Sequence, residues 1–304
     1  MTSNAHDRGS GRPGRPGREP AVIHGLSFDV ECYYQIVAKD YLGARVAPTP
    51  EVERNTAYLL DALAENGVKA TFFTLANVAE HYPGVIRRIA DEGHELAVHG
   101  YDHLYITEMD RAGFRDELVR AVTKLEDVAG VAIEGHRAPA FSVVRDTLWA
   151  CDVMREAGLC YDSSIYPIAG KRYGIADAPR TAWRLENGLA EVPLTAVSWR
   201  GRTLPAAGGG YARLFPYRYT RWALEACTRE GRPAITYFHP HEFEPARPKM
   251  PGEAREATPD ARRRLAKFNF VQGTGRGLAM RRKLERLLTE FRFRPLREIA
   301  AGVA

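Results

Sequence analysis

The sequence predicts an α/β protein built on a parallel sheet, open or closed into a barrel, and two observations carry this. Short apolar runs alternate with amphipathic helical stretches over about 220 residues. The runs also end repeatedly in polar residues, where parallel α/β folds build their sites. The first run, Val22, Ile23, Leu26, Phe28 and Val30, ends in Asp29, Glu31 and Cys32. A helix is expected from Thr49, with Val52, Leu59, Leu60 and Leu63 as its apolar stripe and Asn66-Gly67 as its stop. Lys69–Leu75 reads as the second strand, Pro83–Glu92 as a helix, and the run Leu96-Ala97-Val98 as the third strand. Met109–Ala129 carries Phe114, Leu118, Val122 and Leu125 at helical spacing, followed by the strand Gly135–Pro139. Beyond these come a helix at Asp146–Ala157, a strand end at Cys160–Ser164 and an extended piece at Glu191–Ser198. A helix around Tyr219–Glu230 then leads to the strand Ala234–His239.

A chain of 304 residues can bury one large α/β core, and no shift of composition divides its middle. Its hydrophobic (45%) and charged (27%) fractions are those of an ordinary globular protein, and its apolar runs are too short to span a bilayer. No charged segment followed by an apolar one opens the chain, and the cysteines at 32, 151, 160 and 227 have no disulfide-like spacing. A reduced, cytoplasmic setting is therefore expected. The net charge of +5 is uneven: basic residues gather in residues 1–20 and between Arg262 and Arg297, leaving the body acidic. That distribution argues against a nucleic-acid-binding core. Residues 1–20 read as a disordered basic tail. The basic C-terminal segment reads either as a solvated helix face or as a peripheral membrane contact. Its stripe Leu284, Leu287, Leu288 and Phe291 fits docking on the sheet first and a membrane surface second.

His99 and His103, four residues apart, can share one metal ion from a helical turn or tight loop. The other polar residues at strand ends are Asp29, Glu31, Arg137, Asp162 and His239. Two histidines and a carboxylate make a facial ligand set for Zn²⁺ or another divalent ion. A second carboxylate can then serve as general base, another histidine as general acid, and Arg137 can hold the base ionised. Each residue also has a structural alternative: Asp29 as a helix cap, Arg137 as a surface ion pair, His239 as a core histidine.

Six motifs then occur in order: Ser27-Phe28-Asp29-Val30-Glu31, Thr71-Phe72-Phe73, His99-Gly100-Tyr101-Asp102-His103, Arg137-Ala138-Pro139-Ala140-Phe141, Asp162-Ser163-Ser164 and Phe238-His239-Pro240. Over about residues 22–245 the chain resembles the polysaccharide deacetylases of the NodB-homology, carbohydrate esterase family 4 type. The tail from Phe268-Asn269-Phe270 to Phe291-Arg292-Phe293 resembles the extension of deacetylases encoded with exopolysaccharide and exosortase loci. The resemblance implies a distorted (β/α) barrel with seven parallel strands, fewer than eight. It also implies a tail at 1–20, a deacetylase domain at 21–245 and a C-terminal extension at 246–304 packing on the barrel.

Carried onto this chain, the family's roles make Asp29 the catalytic base and His99 and His103 metal ligands. Arg137 steadies the base, His239 is the general acid and Asp162 supports or orients it. Many members carry a second aspartate directly after the first; here Val30 stands there. Strand alternation turns Glu31 to the side of Asp29, which makes Glu31 the third ligand. Cys32 is either a soft ligand or a buried bystander. The implied cofactor is a divalent metal, zinc first with cobalt or nickel as alternatives, which acidifies water and polarises the acetamide carbonyl. A backbone N–H at Ala140 or Phe141 would help to stabilise the oxyanion. The implied activity is metal-dependent N-deacetylation of N-acetylhexosamine units in a polysaccharide or its precursor, with an acetylated amino-sugar glycan as partner. Tyr166, Trp199, Tyr211 and Trp222 are candidates for lining a sugar cleft, and Gly208-Gly209-Gly210 reads as a flexible rim loop. Hydrolysis of a cyclic amide without metal and a catalytically inactive carbohydrate-binding relative are the alternative readings.

Overall fold

A computed structural model of the chain describes residues 22–170, 173–206, 208–247, 252 and 258–303. The expected basic tail, 1–20, lies outside the described residues. The chain opens with β1 (His24–Val30), α1 (Tyr33–Leu42), α2 (Pro50–Glu65), β2 (Thr71–Thr74), α3 (Ala76–His81), α4 (Pro83–Asp91) and β3 (Glu95–Val98). There follow α5 (Arg111–Ala129), β4 (Gly135–His136), α6 (Ala150–Glu156), β5 (Tyr161–Asp162), β6 (Trp183–Arg184) and β7 (Ala190–Glu191). Next come the hairpin β8 (Ala196–Trp199) and β9 (Arg202–Pro205), then α7 (Gly209–Leu214), α8 (Tyr217–Arg229) and β10 (Ile235–Phe238). The C-terminal part holds α9 (Pro259–Gly273), α10 (Leu278–Glu290), β11 (Phe293–Arg294) and α11 (Leu296–Ala301).

All seven residues of β1 are buried, because the strand is covered on both faces. Leu26, Phe28 and Val30 turn outward beneath the helices, in one cluster with Phe72 and Leu96 and with Leu59, Leu63, Ile86 and Leu118. Phe28 stacks on Phe72, with ring centres 5.1 Å apart. The alternate positions face inward, where Phe73, Ala97, Tyr161, Ala190, Ile235 and Tyr237 form a second cluster. The strands run in the order β10-β1-β2-β3-β4-β5-β7-β6, with β11 also beside β1. From β10 to β7 every pairing is parallel, which gives the seven parallel strands of the implied distorted barrel, here curled into a half-barrel, and β6 adds an antiparallel edge. The curled sheet stays open between its ends. There the Thr195 hydroxyl accepts from Ile235 N at 2.5 Å and donates to Ile235 O at 2.9 Å.

The C-terminal segment fills the bottom of the barrel. Leu296, Ile299 and Ala300 of α11 join the inner cluster, and the Thr71 hydroxyl and Glu95 carboxylate accept from Leu296 N and Arg297 N at 2.7 and 3.0 Å. Gly25 lets α11 pack closely on β1: a Cβ would lie 2.9 Å from both Ile235 Cδ1 and Ile299 Cδ1, and those side-chain ends would have to shift. Leu284, Leu287 and Leu288 of α10 are buried in the outer core, so the apolar stripe is docked rather than offered to a membrane. Among the described residues no helix is long and apolar enough to cross a bilayer.

The helix expected over Asp146–Ala157 is shorter, a 3-10 turn followed by α6, and the extended piece at Glu191–Ser198 divides between β7 and β8. The Gly208–Gly210 stretch is not a flexible rim. Gly208 bridges Tyr237 in parallel and α7 begins at Gly209, so the backbone lies directly on the tyrosine ring. A Cβ on Gly208 would come within 2.3 Å of Tyr237 Cδ1.

Candidate active site

Of the polar residues expected at strand ends, all but Asp162 converge at the C-terminal mouth of the barrel. Arg137, with no exposed surface, lies just beyond β4. Its Nη1 donates to Asp29 Oδ1 at 2.7 Å and to Ser27 Oγ at 2.9 Å. Its Nε and Nη2 donate to Ser163 O and Ser163 Oγ, both at 2.9 Å. The guanidinium also sits over the Phe73 ring, 4.1 Å from its centre. A buried cation is tolerated on these terms because its charge is paired and its N–H groups have acceptors. The surface ion-pair alternative for Arg137 is excluded.

Glu31 follows β1 and points to the same mouth. Its Oε2 lies 3.5 Å from His99 Nε2 and 3.1 Å from His103 Nε2, and one ligand atom from each of the three residues lies within 4.8 Å of the others. His99 Nδ1 is 2.8 Å from Arg137 O. A carbonyl only accepts, so the proton sits on Nδ1 and the Nε2 lone pair is available to a metal. His103 takes a left-handed backbone, φ 57°, which returns its ring to the site from a tight loop rather than a helix. Burial favours neutral His103 and, despite the opposing Glu31 charge, lowers its pKa. Burial alone would raise Glu31, yet His239, His103 and His99 outweigh it and hold the carboxylate well below its usual range. Two imidazole nitrogens and a carboxylate oxygen within reach of one point are donors that a divalent metal takes, so this triad fits one.

His239 closes the ring of groups: its Nε2 is 3.6 Å from Glu31 Oε1. Burial acts to lower its pKa, but Glu31, Glu242 and Asp29 more than offset this and raise it to about 9. The carboxylate beside its Nδ1 is Glu242 Oε2, at 3.6 Å, and Glu242 is held in turn by buried Arg213. Asp162, expected to orient His239, is elsewhere. Its Oδ1 accepts from His136 Nδ1 at 2.8 Å and from Ser164 Oγ at 2.6 Å, and Ser164 Oγ accepts from Ala138 N at 2.7 Å. Asp162 therefore braces the loop carrying Arg137. Fully buried Glu191 lies alongside it: burial, then the charge of Asp162, pushes its pKa well up, so it is a neutral acid.

Four other expectations are sharpened. The Phe141 N–H donates to Ala138 O at 3.0 Å, so of the expected pair only the Ala140 N–H stays a candidate oxyanion donor. Cys32 Sγ accepts from Thr49 N at 3.3 Å and is outside the triad, so it is the bystander. Tyr166 is fully buried, with Tyr173 stacked on it 6.0 Å away, and cannot meet a sugar; Trp222 packs partly buried on the outer core. Trp199 is exposed on the β8 hairpin. Sequence reasoning missed Glu242, although its spacing of i+3 from His239 in a 3-10 turn was the available signal, and it missed Glu191, whose role depends on a neighbouring strand.

Residues 46–161 match the family described as Polysaccharide deacetylase. The chain carries a polysaccharide deacetylase domain. Residues 163–301 match a second family, described as Domain of unknown function (DUF3473). His99, His103 and Arg137 thus fall in the first match and His239 in the second, while Asp29 and Glu31 precede both. The peptidoglycan-N-acetylglucosamine deacetylase of Bacillus cereus is 34% identical over 128 residues, which cover 40% of this chain and 46% of that protein. A chitooligosaccharide deacetylase of Bradyrhizobium sp. is 29% identical over 99 residues, 33% of this chain and 43% of that one. The chain thus spans less than half the length of these curated relatives. Among solved structures, a Mycobacterium smegmatis protein assigned to the polysaccharide deacetylases superposes with a TM-score of 0.58 at 24% identity, covering 93% of this chain and 97% of that one. Puue allantoinase superposes at 0.57 with 16% identity, covering 96% and 94%. These last two likenesses establish the fold.

Proposed function

We propose that this protein is a metal-dependent hydrolase that removes N-acetyl groups from N-acetylhexosamine units of a polysaccharide or its precursor, releasing acetate. The observation that carries the reading is one buried cluster holding a potential metal triad, Glu31, His99 and His103, beside the Asp29–Arg137 pair, with His239 on its other side. The relatives' names, peptidoglycan-N-acetylglucosamine and chitooligosaccharide deacetylase, agree with an acetylated amino sugar. The tail resemblance favours an exopolysaccharide glycan. In this reading residues 21–245 form the catalytic domain, and 246–304 an extension whose end plugs the barrel.

Glu31, His99 and His103 would hold the metal, zinc first by donor set and cobalt or nickel next. Such an ion supplies an acidified water and a polarised acetamide carbonyl. Asp29, oriented by Arg137, takes the proton of the attacking water. The N–H of Ala140 stabilises the oxygen as charge develops on it. His239, aligned by Glu242, delivers a proton to the departing amine. Asp162 acts at one remove, through His136, Ser164 and the Arg137 loop.

The test is acetate release from N-acetylglucosamine oligomers, with and without chelator, and after zinc is restored. Release abolished by chelator and recovered with zinc supports the reading. Release that chelator leaves unchanged contradicts it, and cleavage of a cyclic amide alone would favour the metal-free alternative.

A further inference from the structure

The α9–α10 loop of the C-terminal extension is fastened to the turn that carries Glu242. Three consecutive carbonyls at the end of the 3-10 turn Pro240–Phe243, those of Glu242, Phe243 and Glu244, accept from this segment. Their donors are Gly277 N at 2.8 Å, Arg281 Nε at 3.0 Å and Arg276 Nε at 3.2 Å. Two glycines permit the approach. Gly275 and Gly277 have φ of 71° and 65°, and a Cβ on them would lie 2.3 Å from Arg213 O and 2.8 Å from Pro245 Cα.

Arg213 joins the same loop to the carboxylate. Its Nη1 donates to Val271 O at 2.5 Å and to Thr274 O at 3.3 Å, and its Nε donates to Glu242 Oε1 at 3.3 Å. The other oxygen, Glu242 Oε2, accepts from His239 N at 3.1 Å and lies 3.6 Å from His239 Nδ1. Both Arg213 and Glu242 are buried. A buried carboxylate held between a guanidinium and a backbone N–H is fixed in orientation, so the aim of His239 depends on a loop of the extension.

We infer that Arg213 and the α9–α10 loop position the general acid, so that the active site is complete only with the extension docked. The inference rests on the deacetylase reading and deepens it by giving the extension a part in the chemistry. Cleaving an acetamide breaks the C–N bond with the electron pair left on nitrogen, and the amine departs as His239 gives that nitrogen a proton. An aryl ester such as para-nitrophenyl acetate breaks its C–O bond instead and releases para-nitrophenolate as the anion, with no proton needed. A loss of aim at His239 therefore falls on the amide and spares the ester, whereas a loss of fold or metal falls on both.

The experiment measures kcat and KM for the N-acetylglucosamine tetramer, and the rate on para-nitrophenyl acetate, with zinc-loaded wild type, Arg213→Met and Gly275→Ala. Zinc content and urea unfolding are recorded for each. On the tetramer kcat should fall about 10²-fold in Arg213→Met and about three- to tenfold in Gly275→Ala, with KM and zinc content near wild type and the ester rate falling far less. If Arg213→Met does not fold, Gly275→Ala, which alters one loop residue, decides alone. Equal losses on amide and ester overturn the positioning role, as does an unchanged kcat in Gly275→Ala, and either result leaves the deacetylase reading standing. Should wild type not cleave the ester, the tetramer decides: a fall in kcat at constant KM supports the role, and a rise in KM at constant kcat overturns it. No acetate from the tetramer with wild type overturns the reading and the positioning role together.

Discussion

Arg137 Nη1 meets Asp29 Oδ1 at 2.7 Å across 108 positions of sequence, with the two side chains 0% and 3% exposed. A bond of this kind in a closed environment fixes the carboxylate's orientation. Replacing Arg137 with Met would leave a buried carboxylate unpaired and should cost about 3–5 kcal/mol of stability, read by urea unfolding. Asp29→Asn should keep the fold and its metal while lowering acetate release by about 10²–10⁴-fold, as loss of a general base does. Full activity in Asp29→Asn would remove it from the chemistry.

Glu242 gives a prediction with a definite sign. His239 acts as an acid while protonated, so activity should fall as pH rises through its pKa, which Glu242 helps to raise. Glu242→Gln removes one of the charges holding the proton, so the alkaline limb of the kcat profile should move to lower pH. A limb that shifts with Asp162→Asn but not with Glu242→Gln would restore the role the motif order assigns to Asp162.

The buried pair behind Arg137 behaves asymmetrically. Glu191 is already neutral, its pKa pushed up by burial and by Asp162, so Glu191→Gln should change stability by less than about 1 kcal/mol. Asp162→Ala deprives His136 and Ser164 of their acceptor and should cost about 2–4 kcal/mol. Equal losses in the two variants, measured by urea unfolding, would count against a neutral Glu191.

Acid should weaken the fold at two sites away from the mouth. His24 Nδ1 accepts from Ala234 N at 2.9 Å and His94 Nδ1 accepts from Ala70 N at 3.2 Å, which requires both rings to be neutral. Burial lowers each pKa from 6.5 to about 4. The unfolded chain therefore takes up these protons first: stability is complete above pH 6.5 and is lost as pH falls toward 4, by about 2 kcal/mol for each ring at pH 5. The fall in Tm from pH 7.5 to 5 should shrink in His24→Asn/His94→Asn. An undiminished fall would place the acid sensitivity in other groups.

What the sequence made legible was local. β1 and β10 could be read because a strand buried on both faces is a dense apolar run, and the triad because its histidines lie in one loop after β3, with only β2 between that strand and the one that carries Glu31. α1 went unread: it starts at Cys32 without a side-chain cap, and Tyr33-Tyr34-Gln35-Ile36 has no clean helical stripe. Motif order says which residues recur, while contact depends on where the chain turns. Glu242 reaches His239 from its own 3-10 turn, and Asp162 is held by His136 in the neighbouring strand. The α11 plug rests on hydrogen bonds to Thr71 and Glu95 from more than 200 residues away, a relationship with no local signature.

The central claim is that Glu31 completes a metal site with His99 and His103. The direct measurement is metal content per chain after loading with zinc and gel filtration, for wild type, Glu31→Ala, His99→Ala and Asp29→Asn. The account predicts one equivalent in wild type and in Asp29→Asn, and loss of it in Glu31→Ala and His99→Ala. Wild type without bound metal, or Glu31→Ala retaining a full equivalent, would contradict it.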